Sequence, residues 1–190
     1  MKKLALAALA AASLAALPAA AQQGWYGGFG IGRGNLNMSG QDLTGLSGAS
    51  VNDSDTTYTV RGGYRFHPNL AVELGYYDLG QYEFNGSLGS STVSGSAKAK
   101  SWGVSLVAIA PLGDAFDIYG RVGIAQSELK ANANISISPQ NANVSDKQTE
   151  ATYGVGGRWW ITKNLGVFAE WMKNDKIEVD SYLAGVDFRW

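Results

Sequence analysis

The chain has 190 residues, including 25 Gly, 4 Pro and no Cys; 45% are hydrophobic and only 16% charged. A formal net charge of -1 argues against a nucleic-acid-binding surface, and the lack of cysteine excludes a disulfide framework, a thiol nucleophile and a zinc–thiolate site. Glycine stands at roughly double the usual ~7% with no triplet period, which excludes collagen, while the low charge excludes a charge-rich disordered chain.

Lys2 and Lys3 precede an Ala/Leu run over residues 4–17, broken only by Ser13, and Pro18 and Ala19-Ala20-Ala21 follow. A basic start, a short apolar core and a small-x-small site describe a secretory leader. The run is shorter than the ~20 residues a spanning helix needs. Cleavage is expected after Ala21, giving a signal peptide over 1–21 and a mature domain over 22–190.

Past residue 22 hydrophobicity alternates with period two, the mark of strands. The pattern predicts eight: 24–33, 56–67, 70–80, 99–110, 115–126, 150–162, 165–174 and 178–190. Their lengths match the ~9–11 residues a tilted strand needs to cross a bilayer. The connections alternate between long and short, except that the last, around Asn174-Asp175-Lys176, is short although it falls on the long-loop side. Residues 34–55, 81–98 and 127–149 are long and rich in Ser, Asn, Gly and Asp, although 131–138 alternate weakly and extend the strand pattern. His67-Pro68-Asn69, Pro111-Leu112-Gly113-Asp114 and Thr162-Lys163-Asn164 are tight turns. An even strand count with short periplasmic turns and longer external loops predicts an all-β, antiparallel up-and-down transmembrane barrel.

Strand parity decides which face meets lipid. One face carries Phe29, Ile31, Val60, Val72, Leu74, Val104, Leu106, Ile118, Val122, Ile124, Val155 and Val186. The other carries Arg61, Arg65, Glu73, Asp117, Arg121, Arg158, Glu170, Asp187 and Arg189, with glycines such as Gly28, Gly63, Gly75, Gly154 and Gly156 between them. Small residues on the concave side leave room for long arginines, and a lipid-facing arginine at mid-depth costs ~2–4 kcal/mol. The barrel is therefore read as apolar side out. On that outer face Tyr58, Tyr76, Trp102, Tyr153, Trp171 and Tyr182 gather at the external end. Trp25, Phe66, Phe116, Trp159, Phe188 and Trp190 gather at the periplasmic end. Two aromatic girdles bracket an apolar band in membrane barrels.

Three segments resemble the OmpA-like eight-stranded outer-membrane barrel family: residues 25–32 (WYGGFGIG), residues 117–123 (DIYGRVG), and residues 153–171, from Tyr153-Gly154-Val155-Gly156-Gly157-Arg158 to Ala169-Glu170-Trp171. The resemblance implies residence in the outer membrane among lipopolysaccharide and phospholipid, as a monomer. Gly185, Phe188 and Trp190 are similar to the C-terminal signal read by the outer-membrane insertion machinery, though Leu183 stands where relatives often carry a polar residue. No peptidoglycan-binding segment follows in this sequence, so a cell-wall tether is not expected of it.

An eight-stranded barrel is just wide enough for side chains to fill. Pairing through the first turn sets Glu73 opposite Gly63, diagonal to Arg61 and Arg65; pairing through the third sets Glu170 beside Arg158. A lumenal charge network of Arg61, Glu73, Arg121, Arg158 and Glu170 is expected. A filled lumen favours packing over conduction, with a narrow pore as the functional alternative. Catalysis is not expected: the single histidine, His67, sits in a turn, and no metal or cofactor motif occurs. Asn52, Asp53 and Asp55 lack the spacing of a calcium loop. A structural or narrow porin-like role is the leading expectation, and a surface adhesin working through its loops is the alternative.

Overall fold

A computed structural model describes residues 23–36, 50–51, 54–88, 91–135 and 138–190. The expected leader, and Asn52 and Asp53 of the first loop, lie outside the described residues. The barrel strands are β1 (Gly24–Leu36), β2 (Ser54–His67), β3 (Leu70–Leu88), β4 (Ser91–Leu112), β5 (Phe116–Ile135), β6 (Ser138–Trp160), β7 (Leu165–Asn174) and β8 (Val179–Arg189). Each pairs antiparallel with the next, and β8 returns to β1 through the register Gly28↔Asp187 and Gly30↔Gly185. The result is a closed, up-and-down, eight-stranded barrel. Closure removes the unpaired edges that a lipid environment cannot satisfy.

Burial follows the parity of the sequence. In β2, Thr57, Thr59, Arg61, Gly63 and Arg65 are buried, while Tyr58, Val60, Tyr64 and Phe66 between them are exposed. Val122 and Ile124 of β5 are 60% and 67% exposed, which is the lipid contact of an inside-out barrel rather than a defect of packing. Eleven of the twelve girdle aromatics are exposed, and the twelfth, Trp171, lies edge-on to Tyr153 at 6.0 Å between centroids.

The three short turns close by local chemistry. Gly113 takes φ 77°, a left-handed conformation that suits glycine. The Thr162 hydroxyl accepts from Asn164 N and Leu165 N, and Asn164 Nδ2 donates to Arg189 O, tying this turn to β8. Asn69 N donates to His67 Nδ1 at 3.1 Å, so the single histidine is occupied in holding its turn.

Two differences from the expected layout stand out. Residues 81–98 and 127–149, expected as long loops apart from the weak strand pattern over 131–138, are largely strand. β3 to β6 run to 19, 22, 20 and 23 residues, whereas β7 and β8 have 10 and 11. Four strands thus continue as a sheet past the barrel. The second difference is a bulge. The β3–β4 register shifts between Asp78 and Gly80, where Gly80 takes φ 96°. Both Leu79 and Tyr82 are thereby turned inward, and Asp55 receives Gln81 N at 2.6 Å to hold the bend.

Candidate functional site

The lumen contains the charges of one face, all of them brought together by closure. Arg61 reaches Glu170 at 2.7 Å and Asp187 at 2.8 Å. Arg121 contacts Glu73 at 2.8 Å and Glu170 at 3.1 Å, and donates to the Tyr77 hydroxyl. Arg158 donates through Nε to Asp187. All six side chains are at most 2% exposed. Unpaired, any of these charges would carry a cost of several kcal/mol for leaving water.

The residues Arg61, Glu73, Arg121, Arg158 and Glu170 thus occupy one cluster, but the pairing differs from the cross-strand expectation. Glu73 lies opposite Gly63, as the turn register requires, yet its arginine is Arg121, contributed by β5 from beyond its neighbouring strands. Arg158 is held by Asp187 rather than Glu170. Asp187 belongs to the cluster although only its inward parity was evident. Its partner Arg61 is 126 positions away in sequence, and the two become near neighbours only when β8 closes on β1.

A rule for the glycines emerges from the register. Arg61, Gly28 and Asp187 lie on one rung across β2, β1 and β8. Tyr26, Gly63 and Glu73 form a second rung, and Tyr119, Gly156 and Glu170 a third. In each, the outer two residues bond across the glycine: Tyr26 Oη donates to Glu73 at 2.9 Å and Tyr119 Oη to Glu170 at 2.7 Å. Strands stand about 4.8 Å apart, so partners two strands apart reach each other only over a residue with no side chain. A Cβ on Gly63 or Gly156 would come within 2.7 Å of the tyrosine ring above it, and one on Gly28 would collide with the Asp187 carboxylate.

Above the charges lies a layer that the sequence reading did not anticipate. Tyr77, Leu79, Tyr82, Phe168, Met172, Ile177, Val179 and Leu183 form a buried apolar cluster inside the external half of the barrel. Phe168 links the layers, its ring lying 3.8 Å from the Arg61 guanidinium. Ile177 comes from the turn between β7 and β8. Glu150 of β6 holds that turn down: its carboxylate accepts Lys176 N at 2.9 Å, Ile177 N at 3.1 Å and Asn174 Nδ2 at 3.1 Å, as well as the Ser127 hydroxyl. Inward parity alone was the available signal for Glu150.

Of the residues compared with an assembly signal, Gly185 and Phe188 sit on β8 and Trp190 follows its last residue. Phe188 and Trp190 are exposed on the lipid side at the short-turn end. Gly185 has a packing reason of its own, since a Cβ there would lie 2.6 Å from Gly30 Cα and 2.7 Å from the Phe168 ring. Leu183, the departure from the polar pattern, is part of the apolar layer.

A filled, ion-paired lumen inside an apolar belt is an architecture for lipid, and the sequence pattern of the outer membrane protein beta-barrel domain matches residues 4–189. The chain belongs to that family. It resides in the outer membrane. Among relatives, outer membrane protein A of Klebsiella aerogenes is 29% identical over 92% of this chain and 49% of its own length. Outer membrane protein A of Klebsiella pneumoniae is 28% identical over 79% of this chain and 44% of its own. The barrel therefore spans about half the length of these curated relatives. Solved structures share the fold: OprG of Pseudomonas aeruginosa has a TM-score of 0.57 at 14% identity, covering 90% of this chain and 97% of its own. Ail, the attachment invasion locus protein of Yersinia pestis, has 0.53 at 16% identity, covering 89% and 100%.

Proposed function

We propose that this outer-membrane barrel is primarily a structural element of the membrane, with a lumen closed to ions. The observation that supports this is the double filling of the barrel: buried ion pairs around Arg61 and Arg121, and an apolar layer above them. Ions crossing such an interior would have to part the pairs and then pass a tightly packed layer of apolar and tyrosine side chains. No catalytic role is proposed, because the carboxylates and tyrosines that could transfer protons are enclosed and bonded to one another. The protein is proposed to act as a monomer, inserted by the outer-membrane machinery through the β8 end with Gly185, Phe188 and Trp190, and solvated by lipopolysaccharide outside and phospholipid inside. Single-channel recordings of the wild type, Glu73→Ala and Glu170→Ala test the reading. The expected result is negligible conductance in the wild type and lowered thermal stability in the variants. Steady wild-type channels that vanish or enlarge in stable variants would assign the network a conducting role instead.

A second reading rests on the four long strands. β6 pairs with β7 only from Thr152 to Trp160, so its outer edge from Ser138 onward pairs with no strand among the described residues. Unpaired strand edges accept extended segments of other chains. A structure related in fold, Ail of Yersinia pestis, is known in complex with the heparin analogue sucrose octasulfate. A role in surface attachment would be lost when the extensions of β3 to β6 are trimmed, in an assay of cell attachment; unchanged attachment with altered detergent sensitivity would leave the structural role alone.

A further inference from the structure

On the outward face of β3 to β6, two successive rungs beyond the external aromatic girdle handle charge differently. The nearer rung alternates in sign: Asp78, Lys100, Glu128 and Lys147 lie side by side across the four strands. The Lys100 ammonium is 3.8 Å from Asp78. The outer rung holds Gln81, Lys98, Lys130 and Ser145, so two lysines stand directly opposite each other with no carboxylate on either flank. Lys130 turns back to Glu128 at 3.3 Å, whereas Lys98 is exposed and has no ion pair among the described residues. Glu83, opposite Ser96, stands further out along β3. On the far side of the barrel the arrangement is the ordinary one, with Lys173 opposite Asp180.

Like charges directly opposite on a sheet face repel, their Cβ atoms being about 5 Å apart, so the outer rung by itself weakens the strands that carry it. Its depth supplies a reason for keeping it. Lys98 lies four residues beyond Trp102 of the girdle. At about 3.3 Å per residue and a tilt near 40°, that is about 10 Å above the aromatic ring. Headgroups occupy about 5–8 Å beyond the hydrocarbon, and a lysine side chain bends back into that layer. We propose that this outward face binds the phosphate groups of lipopolysaccharide, with Lys98 and Lys130 as the clamp and Lys147 at its edge. The inference rests on the reading of the protein as a lipid-embedded structural barrel, and names the lipid group that one wall of it grips. A phosphate between the two ammoniums turns their repulsion into a shared contact.

The test titrates the folded protein in uncharged detergent micelles with diphosphoryl lipid A, and with lipid A stripped of its phosphates, following the amide NMR signals of Ala99 and Leu129. The expected result is a saturable shift with the diphosphoryl form. Affinity should fall several-fold when the phosphates are removed and in the double variant Lys98→Gln/Lys130→Gln, and stay unchanged in Lys173→Gln. In phosphatidylcholine vesicles without lipid A, the double variant should unfold at the same or a higher urea concentration than the wild type, because it removes a repulsion. Loss of binding is thereby separated from loss of folding, and a lower urea midpoint there would overturn the repulsion on which the proposal stands. Equal affinities of the wild type and the double variant, or of the two lipid forms, would overturn the proposal while leaving the lipid-embedded barrel and its closed lumen standing. Tighter binding of soluble sucrose octasulfate than of diphosphoryl lipid A would overturn the assignment to a membrane lipid.

Discussion

Asp187, like Glu170, is shared between two arginines, neutralising both Arg61 and Arg158 while nearly inaccessible to water. Replacing it by Asn keeps its shape and removes its charge. Breaking a buried pair from one side costs about 3–5 kcal/mol, since the partner stays buried without compensation. Asp187→Asn is therefore expected to lower the unfolding free energy by that amount in urea titrations of lipid-embedded protein. A loss under about 1 kcal/mol, the value of an exposed pair, would mean that water reaches the cluster. The residues themselves were legible from parity and charge, and so was the Glu73–Gly63 register through its turn. The partners were not. Arg61 with Asp187, and Arg121 with Glu73, meet over glycines or across the lumen, and these separations depend on the closed circumference rather than on any one hairpin.

At the scale of elements, the membrane-spanning portions could be read because lipid on one side and packed side chains on the other enforce alternation. β7 was legible to its last residue, over 165–174. That constraint ends at the membrane surface. The extensions of β3 to β6, in segments such as residues 91–98 and 131–135, are mostly Ser, Ala, Asn, Lys and Gly, so the only strand signal they carried was the weak alternation that begins at 131. The bulge at Gly80 reverses the parity as well, so the pattern breaks where the strand does not. The turn between β7 and β8 shows the opposite case, a short connection with a specific tether. Glu150 accepts two of its backbone amides, and Glu178 within it takes φ 50°. Glu150→Ala is expected to cost about 1–3 kcal/mol for the stranded donors. Hydrogen exchange should speed up at the amides of Lys176 and Ile177 and stay unchanged at Leu165. Uniform acceleration along β7 and β8 would show that the turn has no independent tether.

As a whole, the molecule is a barrel with its hydrophobic residues on the outside and two kinds of filling within, an ion-paired cluster toward the periplasmic half and an apolar cluster flanked by the Glu150 hydrogen bonds toward the external half. The high glycine content belongs to that design: rungs such as Gly28, Gly63 and Gly156 supply the space through which long charged and aromatic side chains meet. The chain has no cysteine, which makes single-cysteine scanning direct. A spin-label scan through residues 118–125 of β5, in lipid vesicles with oxygen and a water-soluble nickel reagent as collision partners, tests the arrangement of faces and the closed lumen together. The account predicts high oxygen accessibility at 118, 122 and 124, low values at 119, 121 and 125, and no nickel accessibility at either set. A flat profile would contradict the lipid-facing parity, and nickel reaching 119, 121 and 125 would contradict the filled lumen.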